Sequence, residues 1–161
     1  MASDAETLSL ARYVVWAGIM RDLLVRSLVR DDAINEGDPG VTTFAMMSYW
    51  FGSLYVVVEG WQQLEFSDAA IDGLLSDTDK VEKLRRSRNA TFHYQREIYH
   101  ERFLGFMRGS EESSDWAHAL NKAFDRFFTG WASEAGYLDD EVLKAYEEWK
   151  QKHPLARSGP P

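Results

Sequence analysis

Phe44-Ala45-Met46-Met47-Ser48-Tyr49-Trp50-Phe51 opens an uncharged run that continues through Tyr55-Val56-Val57-Val58 and meets no charged side chain until Glu59. How this stretch is read decides the fold. A strand needs alternation and bounding hairpin turns, and only Tyr55 to Val58 has strand composition, inside a longer helical run. A transmembrane helix needs roughly 20 predominantly apolar residues, usually with terminal aromatics and basic flanks. Here the aromatics are spread through the run, the flanks are acidic, and Thr42, Thr43, Ser48, Gly52 and Ser53 interrupt it. The remaining reading is a central core helix ending near Leu64, apolar almost all round and therefore requiring neighbours on most sides.

The flanking segments supply those neighbours. From Thr7 to Arg30 apolar residues recur at Leu8, Val15, Ile19 and Leu23, with a second row at Tyr13, Trp16, Met20 and Leu24, so the segment predicts a helix buried on two sides. Asn35-Glu36-Gly37-Asp38-Pro39-Gly40 breaks it, and Thr42 or Thr43 is expected to cap the core helix. Ser67-Asp68 predicts the cap of a short helix through Leu75, and Thr78 or Asp79 begins a segment running to about Arg86. A further helix is expected after His93, through Tyr94, Ile98, Phe103, Phe106 and Met107 to Gly109-Ser110. Ser113, Ser114 or Asp115 then caps a helix carrying Trp116, Leu120, Phe124, Phe127, Phe128 and Trp131. Beyond Gly136, Val142, Leu143, Tyr146 and Trp149 form the stripe of a last helix from Asp139 to about Lys150. The expectation is all-α, an up-down bundle of five to seven helices, with 1–153 as a single domain and 154–161 as a flexible tail.

At 161 residues the chain has room for one core, and 45% hydrophobic residues with six Trp exclude a disordered polymer despite 27% charge. Absence of Cys removes disulfides, thiolate metal sites and a Cys nucleophile. Met1-Ala2-Ser3-Asp4-Ala5-Glu6 is acidic where a secretory signal is basic, so a cytoplasmic location is expected. A net charge of -8 argues against bulk electrostatic coating of nucleic acid. Lys80, Lys83, Arg85, Arg86 and Arg88 nevertheless form the densest basic run, suited to a transient RNA substrate at one cleft.

That run leads into Arg88-Asn89-Ala90-Thr91-Phe92-His93, which sets a permanent cation, an amide and a titratable imidazole close together. Positions five apart on an ideal helix differ by about 140°, so Arg88 and His93 share a face only if Arg88 lies in the turn or first residue of a helix. Asn89 would then serve the helix N-terminus, and its free N–H groups would add to an anion site. Other candidates carry less. Glu59 either pairs with an Arg such as Arg88 or is an ordinary helix-end carboxylate. His100, near Glu97 and Glu101, suggests a metal site but fits a solvated helix face better. His118 receives no role, and Asp139, Asp140 and Glu141 look like a helix start, without the spacing of a calcium loop. No cofactor and no metal are expected.

Arg88, the adjacent polar Asn89 and His93 resemble the signature of the HEPN superfamily (higher eukaryotes and prokaryotes nucleotide-binding domains), an Arg, a polar residue and a His four to six positions beyond the Arg. The resemblance spans the bundle broadly, from residue 7 to 131, and is specific only from Arg88 to Tyr94. It implies metal-independent RNA cleavage by attack of a ribose 2′-hydroxyl on the adjacent phosphate. His93 would transfer protons, Arg88 would stabilise phosphoryl charge, and Asn89 would position substrate or orient the other two. Arg85, Arg86 and Tyr94 would bind substrate. It further implies a homodimer whose cleft supplies a second histidine, with RNA or a nucleotide as ligand. An antitoxin or other protein partner is left unidentified. Many toxin members place Tyr two residues after the His, where this chain has Tyr94 and then Gln95, which argues against control through that tyrosine. The alternative reading is a non-catalytic helical module that binds a nucleotide or a protein.

Overall fold

The computed structural model describes residues 2–29, 39–94, 96 and 110–138, with the isolated positions 141, 144 and 148. Among the described residues five helices occur and no strand: α1 (Asp4–Val29), α2 (Pro39–Gln63), α3 (Ala69–Leu75), α4 (Thr78–Phe92) and α5 (Ser110–Glu134). The all-α expectation holds, as a helical bundle.

The helix starts follow from local chemistry, in part differently from expectation. α1 begins three residues before Thr7 because Ser3 and Glu6 make a reciprocal cap, with the Ser3 amide donating to Glu6 Oε2 at 2.9 Å and the Glu6 amide reaching Ser3 Oγ at 3.4 Å. Those bonds hold the Glu6 carboxyl below the usual range, the Ser3 amide contributing most. α2 begins at Pro39, so Thr42 and Thr43 lie within the helix and do not cap it; proline fits the first helical position, where no N–H is required. Asp68 caps α3 as expected, accepting from the Ala70 and Ile71 amides. Asp77 caps α4 through the Lys80 amide, one residue before Thr78. α5 starts at Ser110, which puts Ser113, Ser114 and Asp115 inside it.

α2 is the centre, packed against α1, α4 and α5, while α5 also meets α1 and α3. It is long and apolar enough to cross a membrane by length and composition. In the folded chain Trp50, Phe51, Leu54, Val57, Val58 and Trp61 are covered by neighbouring helices, as in a core helix. Leu10, Val14 and Ala17 of α1, Leu84 of α4 and Leu120 and Phe124 of α5 complete that core. Three indoles are tied down at their polar ends: Trp50 Nε1 to Asn121 Oδ1 at 2.9 Å, Trp61 Nε1 to Asp72 Oδ1 at 3.1 Å, and Trp116 Nε1 to the Leu74 carbonyl at 3.0 Å. At Gly60 a Cβ would collide with Leu10, so glycine lets α1 and α2 approach closely.

Gly136, at φ +73°, turns the chain after α5 in the left-handed conformation that glycine tolerates. Beyond it, Glu141, Lys144 and Glu148 are helical and exposed, as the polar side of the expected last helix requires. Its apolar stripe, the helix expected through Ile98 and Met107, and the tail at 154–161 lie outside the described residues.

Candidate functional site

The basic run and the hexapeptide belong to one helix. Nothing between Lys80 and Phe92 breaks a helix, so α4 continues past Arg86 to Phe92, and His93 is its C-cap, with extended backbone and its amide donating to the Asn89 carbonyl at 3.1 Å. The expectation that Arg88 sits at the first turn of a new helix is therefore overturned. Arg88 and Asn89 lie in the closing turns of α4, where the backbone presents carbonyls and partial negative charge. Among the described residues no helix N-terminus adds to an anion site beside them.

α2 forms the bed for this end of α4. Ser48, Gly52, Tyr55 and Glu59 recur at helical spacing and meet α4 in antiparallel order. Thr91 Oγ1 donates to the Ser87 carbonyl at 2.9 Å and lies 3.4 Å from that of Ser48. Gly52 seats the Phe92 ring, since a Cβ there would come within 2.7 Å of Phe92 Cε2. The Arg88 guanidinium stands 6.0 Å from the Tyr55 ring centroid, donates through Nη2 to Glu59 Oε2 at 3.0 Å, and through Nη1 to Asn89 Oδ1 at 2.9 Å. Glu59 thus pairs with Arg88. Asn89 serves no helix start; its amide oxygen orients the guanidinium. Burial, and after it the Glu59 charge, push the Tyr55 hydroxyl above its ordinary range.

Three of the four remaining cations of the run are also engaged. Arg85 donates to Glu82 through Nε and Nη2 at 2.6 and 2.8 Å, and Arg86 to the same carboxylate at 2.9 Å. These hydrogen bonds draw the Glu82 carboxyl down to about 2. Lys80 bridges Asp77 and Glu112, both at 3.0 Å. Apart from exposed Lys83, the stripe that the sequence presents as a basic patch is, in the fold, a row of ion pairs.

His93 and Tyr94 are exposed, Tyr94 at 90%. Phe92 and Tyr49 beside them are half exposed, at 51% and 52%, and meet edge-on with centroids 6.0 Å apart. Among the described residues, the end of α4 is an open surface. A groove of about 350 Å³ between α1 and α2 is lined by Glu6, Tyr13, Val56, Glu59 and Gly60 among others, and touches the Arg88 set only at Glu59.

Tyr49 carries no motif signal, because it comes from α2, whereas the pairing of Glu59 with Arg88 is the first of the two readings its sequence position offered. His118, given no role from sequence, lies edge-on to Trp50 at 6.1 Å between ring centroids. Burial, reinforced by Arg21, lowers its pKa below the ordinary 6.5. His100, Glu97 and Glu101 lie outside the described residues, among which no group of three His, Asp or Glu side chains is placed to hold a metal ion.

Comparison with known proteins finds no match: no family model, no curated protein and no solved structure resembles this chain.

Proposed function

We propose that the chain is a HEPN-like domain that acts on RNA in the cytoplasm, at the C-terminal end of α4, as a metal-independent endoribonuclease assembled from two copies. The observation that carries the reading is the surface that the described residues leave open at the close of α4, where exposed His93 follows directly on the turn that holds Arg88 and Asn89. Asn89 and Glu59 each accept from one of the guanidinium's N–H donors, so a phosphoryl oxygen can take a remaining donor or displace the Glu59 carboxylate. In the reaction the 2′-oxygen bonds to phosphorus and loses its proton to one imidazole. The P–O5′ bond breaks, leaving a 2′,3′-cyclic phosphate, and a second imidazole protonates the departing oxygen. A single chain has one His93, so the partner's His93 supplies the second. Arg85, Arg86 and Tyr94 extend the substrate surface.

The Glu59 pair favours a second reading, a non-catalytic module that binds a nucleotide or protein at the same surface. Incubation of varied RNAs with the protein and a chelator separates them. Cleavage with cyclic phosphate ends, lost in folded Arg88→Ala and His93→Ala, supports the enzyme. Intact RNA throughout rejects it.

A further inference from the structure

We infer that Tyr49 and Phe92 form a stacking platform for an unpaired base of RNA, an inference that rests on the RNA reading above and names how the substrate is gripped. Two half-exposed rings from different helices are unusual to hold rigidly, and here the holding is built in. Phe92 is seated in the notch left by Gly52, where any Cβ would strike its ring. Thr91 ties the same turn of α4 to the Ser87 carbonyl and reaches the Ser48 carbonyl, one residue before Tyr49. The rings brace each other edge-on at 6.0 Å. Side chains so fixed lose little rotamer freedom when a ligand covers them.

The occupant follows from what surrounds the rings. Arg88 and Phe92 are four residues apart on α4, one turn and about 6 Å along the axis, and therefore on the same side. A nucleotide carries its anionic phosphate and its planar base on one ribose, so a guanidinium and an aryl ring one helical turn apart can take both groups of one unit. Tyr94, the most exposed ring, extends the aromatic surface past His93. A peptide docking site of the usual kind would offer aliphatic anchors beside the aromatics. Among the described residues, the exposed large apolar side chains next to Arg88 and His93 are the aromatic Tyr49, Phe92 and Tyr94; the exposed aliphatic Val41 stands eight residues before Tyr49 on α2. With the two rings 69° apart, the base lies flat on one of them while the other braces it edge-on; contact through the face accepts any base, and single-stranded character is required because a base within a duplex has its faces covered by its neighbours.

The test is fluorescence polarisation of the full chain with a labelled six-nucleotide oligoadenylate and with the same backbone carrying abasic sites. The intact oligomer should bind roughly five- to 100-fold more tightly than the abasic one. Phe92→Leu keeps an apolar side chain over Gly52, and Tyr49→Leu lies at an exposed position, so both should fold with unchanged helical circular dichroism. Each should abolish most of that preference, while Arg88→Ala should weaken both oligomers and leave the preference in place. If RNA binds and depends on Arg88 but both leucine variants keep the preference, the platform is refuted and the RNA reading stands. If neither oligomer binds, both fall. If only peptides bind and the leucine variants lose them, the surface belongs to a protein partner and the inference is overturned.

Discussion

Replacing Asn121 with Leu should reveal how strongly the buried Trp50–Asn121 hydrogen bond ties α2 to α5. Trp50 and Asn121 are 2% and 1% exposed, and the indole N–H reaches Asn121 Oδ1 at 2.9 Å. Leucine roughly conserves the volume, so the main loss is the partner of a buried donor that water cannot reach. Such a group costs about 1–3 kcal/mol, and imperfect repacking adds up to about 1 kcal/mol. Asn121→Leu is therefore expected to lower stability by about 1–4 kcal/mol in urea unfolding. Trp50→Phe strands the amide instead and opens space, at a comparable or larger cost. In Trp50→Phe/Asn121→Leu neither polar group remains, and the double variant should be more stable than the sum of the single losses predicts by about 1–2 kcal/mol. Strict additivity, or an Asn121→Leu protein within about 0.5 kcal/mol of wild type, would refute the claim that this bond anchors α5.

The two kinds of glycine should separate cleanly. Gly60→Ala should destabilise by about 1–3 kcal/mol because its Cβ meets buried Leu10, whereas Gly18→Ala, in open space within α1, should stabilise by about 0.5–1 kcal/mol; urea midpoints read both. His118 is neutral-favouring in the folded chain, so the unfolded chain takes up the proton first and stability, full above about pH 6.5, falls as pH drops below it. His118→Gln should flatten that limb, and NMR titration should place the imidazole below its ordinary value. Glu59→Gln removes a pair whose side chains are 29% and 33% exposed, so it should cost no more than about 1 kcal/mol of stability. If Arg88 meets phosphate, the same change should tighten single-stranded RNA binding and steepen its salt dependence by about 0.7 in the log–log slope; an unchanged slope counts against that contact.

The fold was legible where one local signal decided it. The uncharged run from Val41 to Val58 could only be a core or membrane helix, and the Asp68 cap is a direct reading of side-chain chemistry. Errors arose where polar residues were taken for punctuation. Ser87, Asn89 and Thr91 have modest helix propensity, yet α4 runs through them because Ser87 is buried, Thr91 bonds back to its carbonyl, and no Gly or Pro intervenes. The Ser3–Glu6 capping box and Pro39 at the helix start were present in the sequence and mark the true boundaries of α1 and α2. The partners were legible only as alternatives, as with Glu59, or not at all, as with Asn121. Glu59 stands 29 residues before Arg88, and Asn121 stands 71 after Trp50, distances at which only packing decides who meets whom.

That packing also alters what the basic run means. A chain of net charge -8 would repel RNA at long range, and in the fold Arg85, Arg86 and Lys80 each face a carboxylate from their own neighbourhood. Steering by a bare cationic stripe is therefore a poor mechanism for this surface. If the surface takes RNA as proposed, exchange is a better one: a pair as exposed as Arg88 and Glu59 is worth at most about 1 kcal/mol, so a phosphate that keeps the guanidinium in place can replace the carboxylate at little net cost. Glu59 would then hold the fork in position while the site is empty and yield it when substrate arrives. The ring platform becomes necessary in that scheme, because exchange of one anion for another leaves little binding energy, and the affinity must come from the bases.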